Sequence, residues 1–474
     1  MKIRGFLITI SCLTLALYAA FIKDYETITQ LQAFYATLIV MLGALPSVVC
    51  LISRRESGLL PLMPLHGLFY ALIFGLPVFS SKMDWSRVTS HVITDTLILT
   101  ILGLMCLYTG YYGSRSLYSS SQRPIQFLSD VTLKRRIWIA WILFGMSMLL
   151  HFVPALRALP SVGQLSAPLG YLSTGILFLL ALENVVSKKH HMLLTVAIAS
   201  TFVFNLLSGA YAKAVYLLVF LGLVYWGKKR SLPWGFIFIC CFIAIFLQPI
   251  KERYRVYTKD VAVISPQSYV YRATLLYRAT YDHYFNVDYI DSSDGIKTIS
   301  AVGRLGHSIT AFADVINMTP ELVPYWLGGS YQALWTSFIP RFLWLAKPQA
   351  TIGNEFGHRY MQLGPEDKET SHNLPWLPEL YANFGLLGVV AGMFAIGFFF
   401  RFIVQKLSVP ISASIEYVLG ATVTFSLFYA ESNFAVMAGA VLTPYLALLL
   451  LLRILTFCDR SKCKNTITHR TCKS

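Results

Sequence analysis

The sequence predicts an all-α fold: a polytopic membrane protein of about 12 transmembrane helices, with one large loop that carries amphipathic interfacial helices. Three observations predict it. The chain of 474 residues is 56% hydrophobic and 13% charged, where soluble domains carry about 25% charged residues. Apolar runs of spanning length recur from the N-terminus to about Pro249 and resume at about Glu379. Lys and Arg collect in alternate loops between these runs, the pattern that orients membrane helices.

In order, the spans lie near 5–22, 33–53, 62–80, 92–113, 135–153, 168–187, 190–207, 212–227, 233–249, 379–402, 413–430 and 435–456. Each is close to the ~20 residues needed to cross a bilayer, and continuous apolar runs satisfy their backbone in lipid as helices. The stretch 190–227 has two readings: a tight hairpin turning at Ser208-Gly209-Ala210, or one span followed by a surface helix. Residues 1–249 then hold about nine N-terminal spans, 250–378 the large loop, 379–457 about three C-terminal spans and 458–474 a basic tail.

With the N-terminus inside, Arg54, Arg55, Lys134 to Arg136, Lys188, Lys189, Lys228 to Arg230, Arg401, Lys406 and the tail all fall on the inner side. The opposite short loops hold only Lys23, Lys82, Arg87, Arg157 and Lys213. Both termini are expected inside and the long loop outside. Within 250–378 twelve basic residues balance twelve acidic ones, so the formal charge of +16 is a topology signal and implies no nucleic-acid partner. The long loop has no Cys and is not a disulfide scaffold. Met1 to Phe21 resembles a signal peptide, but its long apolar run and missing small-residue cleavage site favour a retained first span. No Walker loop, dinucleotide fingerprint, HExxH or paired CxxC is present, so no cofactor and no metal site is expected. Asp95, Glu183, Glu416 and Glu431 fall near span ends, whereas an ion-coupled carrier keeps ionisable groups at mid-membrane depth.

The long loop holds the reactive side chains. Residues 268–290 form a tyrosine-rich helix, suited either to the headgroup layer or to stacking on sugars. Residues 298–317 form an amphipathic helix, with Ile299, Val302, Leu305, Ile309, Phe312 and Ile316 on one face and Ser300, Arg304, His307 and Asp314 on the other. That polar face is either an ordinary wet surface or a grip for a lipid phosphate with a proton carrier one turn away. Pro324 to Ser330 and Phe338 to Trp344 alternate aromatics with Pro, as short surface helices do. An exposed turn, Pro365 to Asn373, leads to Glu379-Leu-Tyr-Ala-Asn-Phe-Gly385. Glu379 is either a helix-start acid favoured by the helix dipole or a base at the mouth of a span.

Ile339-Pro-Arg-Phe-Leu-Trp344, Lys347-Pro348, Thr370-Ser-His-Asn373 and Glu379-Leu-Tyr-Ala-Asn-Phe-Gly385 together resemble the bacterial O-antigen and oligosaccharide repeat-unit polymerases, the Wzy family. The motif match covers roughly 340–390; the span pattern extends it loosely over the chain. The resemblance implies a multi-span inner-membrane glycosyltransferase with a large periplasmic loop. Its substrate would be an undecaprenyl-pyrophosphate-linked glycan, and its partners the lipid bilayer, a chain-length regulator and a flippase. Such a reaction must hold negative charge, deprotonate a hydroxyl and orient two glycans. Arg304 and Arg341 are the first candidates for the pyrophosphate, with Lys347 and Arg359 in reserve. His372, Tyr381 and Asn383, from the resembling motifs, are candidates for substrate contact. Glu379 is the first candidate for general base, with His307 and Asp314 behind it. An O-antigen ligase with the same donor, or a flippase without covalent chemistry, would share much of this layout.

Overall fold

A computed structural model describes residues 27–53, 60–81, 83–115, 131–153, 162–207, 211–229, 269–285, 301–337, 351–372, 374–408, 414–427 and 431–470, with isolated positions within 117–156, 235–258 and 339–347. Every regular element among them is helical. In chain order these are α1 (Gln30–Ile52), α2 (Leu62–Tyr70), α3 (Ser90–Gly113), α4 (Leu133–Phe152), α5 (Ser166–Leu182), α6 (Lys188–Leu207) and α7 (Tyr211–Lys229). They continue with α8 (Tyr269–Tyr284), α9 (Ala301–Met318), α10 (Gln332–Ser337), α11 (Ile352–Arg359), α12 (Trp376–Leu407), α13 (Ser414–Leu427) and α14 (Phe434–Arg470). Among the described residues six helices are long and apolar enough to cross a membrane: Gln30–Ile52, Leu62–Phe79, Ser90–Gly113, Lys188–Leu207, Trp376–Leu407 and Phe434–Thr456. Two shorter apolar helices, Ser166–Leu182 and Ile415–Leu427, stand where spans 168–187 and 413–430 were expected. Helices α4 and α7 stand at 135–153 and 212–227. The expected span 5–22 and most of 233–249 lie outside the described residues.

The chain divides into two units, one of Met1–Thr132, Gly145–Leu169 and Val302–Ser474, the other of Leu133–Phe144 and Gly170–Ala301. In the first, Thr29 and Gln32 form a capping box that starts α1. The buried Gln32 amide then donates to the Ser90 carbonyl (2.7 Å) and to the Thr94 hydroxyl (3.1 Å), fixing the start of α1 beside that of α3. Helix α2 loosens into a π turn, Ala71–Gly75, and a 3-10 turn, Leu76–Phe79. Pro77, which lacks an N–H for the ladder, accounts for the change of pitch.

Helix α12 packs along α3. A methyl group on Gly397 would lie 2.0 Å from the Leu107 carbonyl oxygen, and one on Gly110 would lie 2.1 Å from the Phe394 carbonyl oxygen. Only glycine lets the two backbones come this close. At the far end of this seam the Arg401 guanidinium lies 5.2 Å from the centre of the Tyr111 ring, and Ser408 accepts the Leu60 N–H (3.0 Å).

In the second unit α6 and α7 pack on each other, with three residues between them; of the two, α6 is among the helices long and apolar enough to cross a membrane, and the turn itself lies outside the described residues. Lys228 and Glu183 pair at 2.6 Å. Helix α8 rests on α6, with Leu275 and Ala279 buried against Tyr211, Ile250 and Tyr254. It keeps Tyr277 and Tyr281 exposed and stacked (6.3 Å).

The polar face expected on α9 is only partly wet. Asp314, on that face, is buried like Ile309 and Phe312 on the apolar one, and Ser308, at the border of the two, is fully buried. Small residues cause this: a methyl on Gly306 would lie 2.2 Å from the Met83 sulfur. Gly306, Ser308, Ala311 and Ala313 let neighbours close on much of the helix, while His307 and Thr310 stay half-buried and Asn317 exposed. Ile299 and Ser300, and the side chains of Val302 and Arg304, lie outside the described residues.

Candidate functional site

The expected span 379–402 is in fact broken. Gly385 has φ 61° and ψ −144°, a conformation open to glycine and strained for other residues. Residues 376–384 therefore fold back beside 386–407. The Leu380 carbonyl oxygen would lie 2.2 Å from a methyl on Gly388, and the Leu380 side chain packs on Gly392 one turn further. Leu377 reaches Gly103 at the level of Val389 and Met393, so the short arm begins well inside the unit and ends at its edge. The carbonyls freed by the break are filled in trans. Trp326 and Leu327 donate their N–H groups to the Ala382 and Asn383 carbonyls (3.0 and 3.2 Å), and Gly328 donates to the Asn383 side chain (2.9 Å). The loop Pro324 to Ser330 thus caps a helix end that would otherwise bury unpaired acceptors.

Glu379 lies on the short arm, with none of its surface exposed. Its Oε1 accepts the Ser330 hydroxyl (2.8 Å) and its Oε2 the Phe434 N–H at the start of α14 (2.9 Å). Asn383, equally buried, donates to the Ser330 hydroxyl oxygen (2.8 Å) and to the Glu379 carbonyl (2.7 Å). Three chain segments are tied through one carboxylate. Tyr381, beside them, makes an edge contact with Phe312 of α9 (6.0 Å).

A second polar group joins α9, α11 and the loop before α3. Arg87 pairs with Asp314 (3.3 Å) and donates to the Tyr360 and Met361 carbonyls just past α11 (3.3 and 3.2 Å). Gln362 donates to the same Asp314 oxygen (2.9 Å). Burial pushes the Asp314 carboxyl up; the Gln362 hydrogen bond and the Arg87 charge pull it partly back. His307 Nε2 and His372 Nδ1 stand 3.3 Å apart. Burial, and secondarily the neighbouring His372, lower His307 to about 4. Burial also lowers His372, while Asp367 draws it back up. Both rings are therefore neutral near pH 7. His372 is held there by α11. Gly353 and Gly357 give a face bare enough for Ser371 and His372 to lie on, and His372 donates its N–H to the Gly353 carbonyl (3.1 Å). Asn354 donates to the Asp367 and Thr370 carbonyls (2.9 and 2.8 Å).

The structure thus pairs His307 with His372, ties Asp314 to Arg87 and Gln362, joins Glu379 to Asn383 through Ser330, and sets Tyr381 against α9. Arg359 donates to the Pro324 carbonyl and faces the Trp326 ring, 5.1 Å away. Lys347 donates to the Ile339 carbonyl (2.9 Å), a local turn. Arg341 and the Arg304 side chain lie outside the described residues. Sequence reasoning treated Arg87 only as a topology charge, and passed over Ser330 and Gln362. It counted Glu431 only as a span-end acid; here it approaches Ser308 of α9 (3.5 Å). The available signal for Arg87 was a lone Arg in a short loop of otherwise cation-poor sidedness. Among the described residues no group of three His, Cys, Asp or Glu side chains is placed to share a metal ion.

Beside Glu379 opens a groove of about 600 Å³ between α12, α13 and α14, lined almost wholly by apolar side chains. Trp376 and Phe434, whose rings stack 5.0 Å apart, and Lys406 are among the lining residues.

These features define a class: an all-helical protein, with several helices apolar and long enough to cross a membrane, that gathers buried polar side chains at one end of its larger unit. Within that class the chain belongs to the family described as a domain of unknown function (DUF8712), which matches residues 78–460. No curated protein and no solved structure matches the chain.

Proposed function

We propose that the chain is a polymerase that joins undecaprenyl-pyrophosphate-linked oligosaccharide repeat units at the outer face of a bacterial inner membrane. About twelve spans, both termini inside and a periplasmic 250–378 loop complete this reading. The observation that carries it is the junction at Phe434. Its ring lines an apolar groove of about 600 Å³, and its N–H enters the polar network of Glu379, Ser330 and Asn383. A substrate with an apolar tail and a charged, sugar-bearing head needs these two surfaces side by side. The contacts along the larger unit support the sidedness. Arg87 and α9 share one end with α11, whereas Arg401, Lys406 and the residues flanking 54–59 collect at the other.

In this reaction an acceptor hydroxyl attacks the anomeric carbon of the donor. A new C–O bond forms, and the bond to the lipid pyrophosphate breaks with its electron pair leaving on phosphate oxygen. Arg87 and Arg359, with Arg304 and Arg341, stabilise that charge without a metal. The neutral His307–His372 pair carries protons near the site. Glu379, with both oxygens bound, anchors the broken helix to α14. A chain-length regulator and a flippase are its expected partners.

Membranes holding the chain, incubated with a lipid-pyrophosphate-linked repeat unit, should yield a polymer ladder. Transfer to a lipid A core instead would make the protein a ligase, and translocation alone a flippase. A reporter active only outside the cytoplasm should work when fused near Lys297 or Glu366 and fail at Ser120 or after Arg460. The reverse pattern would remove the outer site.

A further inference from the structure

We infer that the apolar groove between α12, α13 and α14 binds an anionic phospholipid, whose acyl chain fills the groove and whose phosphate meets Lys406. A membrane around the chain is all this requires; it does not rest on the polymerase chemistry. The groove offers about 600 Å³, and its lining is confined to one stretch of each long helix. On α12 it runs from Ile396 to Leu407 and on α14 from Phe434 to Tyr445, each about 17 Å at 1.5 Å per residue. That is close to half of the ~30 Å hydrocarbon layer, so the groove matches the acyl chain of a single leaflet. Residues 396–407 are the C-terminal half of the second arm of α12. In the proposed orientation the leaflet is therefore the inner one.

Lys406 is the one charged side chain among the described lining residues and the last residue but one of α12. It is half-buried, and its ammonium lies 5.9 Å from the centre of the Phe402 ring, one turn back. Among the described residues it meets no carboxylate. The open carbonyls of a helix end favour a cation in the last turn. They explain a lysine at 406, yet they supply only partial charge and leave the ammonium without a counter-ion. A cation at headgroup depth attracts an anionic headgroup. The apolar walls of the groove gain dispersion contacts only with atoms placed between them. An anionic phospholipid supplies the counter-ion and the filling in one molecule. A zwitterionic lipid offers the same chain without the net negative charge, so headgroup charge is what this site selects. The isoprenoid tail of the polymerase reading is a rival for the same space, and the two lipids exclude each other there.

The test is photo-cross-linking of the full chain in phosphatidylcholine nanodiscs doped with phosphatidylglycerol that carries a diazirine halfway along one acyl chain. Cross-linked peptides should map to 396–407 and 434–445. Labelling there should exceed that by the matching diazirine phosphatidylcholine about fivefold, the advantage that one cation gives an anionic headgroup. Lys406→Gln should abolish the excess and leave phosphatidylcholine labelling as it was. Lys406→Arg should keep the excess, because the charge survives. Equal labelling by the two headgroups in the wild type, an excess that persists in Lys406→Gln, or cross-links spread evenly over the other lipid-facing helices would overturn the inference. So would a groove labelled only by a diazirine-bearing undecaprenyl phosphate, which would give it to the isoprenoid tail. Ladder formation tests the polymerase reading separately.

Discussion

Residues 386–407 meet α3 backbone to backbone through glycines, whereas residues 376–384, on the same helix, meet their neighbours through buried side-chain hydrogen bonds. The first contact depends on shape alone. Gly397 and Gly110 remove every atom that would hold the helices apart, and dispersion between close surfaces does the rest. The second depends on polar satisfaction: Glu379, Asn383 and Ser330 together make five hydrogen bonds across three segments. One arm is a scaffold that tolerates no added volume. The other is a joint that tolerates a change of charge but not the loss of an acceptor.

Overfilling the scaffold should have the largest effect. Gly397→Leu drives a branched side chain into the Leu107 carbonyl and should cost about 3 kcal/mol or more, seen as a large drop in unfolding temperature in detergent. A wild-type transition would mean that the seam is not tight. The joint comes next. Glu379→Ala strands the Ser330 hydroxyl and the Phe434 N–H, at about 1–3 kcal/mol for each buried group. Glu379→Gln keeps an acceptor for Phe434 but turns the Ser330 contact round, the amide donating to the hydroxyl oxygen, so it should cost less than Glu379→Ala and leave ladder formation per folded protein near wild type. A collapse of polymer formation with an unchanged fold in Glu379→Gln would turn the joint into a base and end the comparison.

The smallest effect is on pH. His307 titrates near 4 in the folded protein against about 6.5 when unfolded. Between these values the unfolded chain binds a proton that the native ring refuses, so stability is lost as pH falls from about 6.5 toward 4. His372 acts in the same direction. The raised Asp314 acts in the opposite one, gaining its proton first in the folded state. The net loss should be on the order of 1–2 kcal/mol, and His307→Gln should flatten it in a series of unfolding temperatures from pH 7 to pH 5. A variant as acid-sensitive as the wild type would place the pH response elsewhere.

Much of the fold was legible because spanning helices declare themselves by length. The apolar runs near 33–53, 92–113 and 190–207 end within a few residues of α1, α3 and α6. The hairpin at Gly385 was hidden, because hydropathy averages over some twenty residues and the break rests on the φ of one. Its trace was the series Gly385, Gly388 and Gly392, which reads as ordinary membrane packing until the arm that lies on it is seen. Helix α9 misled for a related reason. Its polar residues do lie opposite its apolar ones, but alternation of polarity reports burial only when one side faces water, and small residues had closed much of both. The pairing of His307 with His372 depends on a tether, Asn354 holding the 367–370 turn, that no local pattern announces. Arg87 was legible as a charge and not as a partner, since its carboxylate lies more than two hundred residues away in sequence.

The hairpin also settles a matter of length. A single helix over 376–407 would run about 48 Å at 1.5 Å per residue, far longer than the ~30 Å hydrocarbon layer. Divided at Gly385, the second arm alone is about 33 Å and fits the layer with little tilt. The first arm, in the proposed orientation, enters from the outer surface and returns to it, so it fills the outer leaflet without adding a crossing. Sidedness downstream is unchanged: α13, α14 and the basic tail fall on the same sides as they would after one uninterrupted span. A re-entrant segment of this kind lengthens the apolar record of a chain while leaving the parity of its crossings intact.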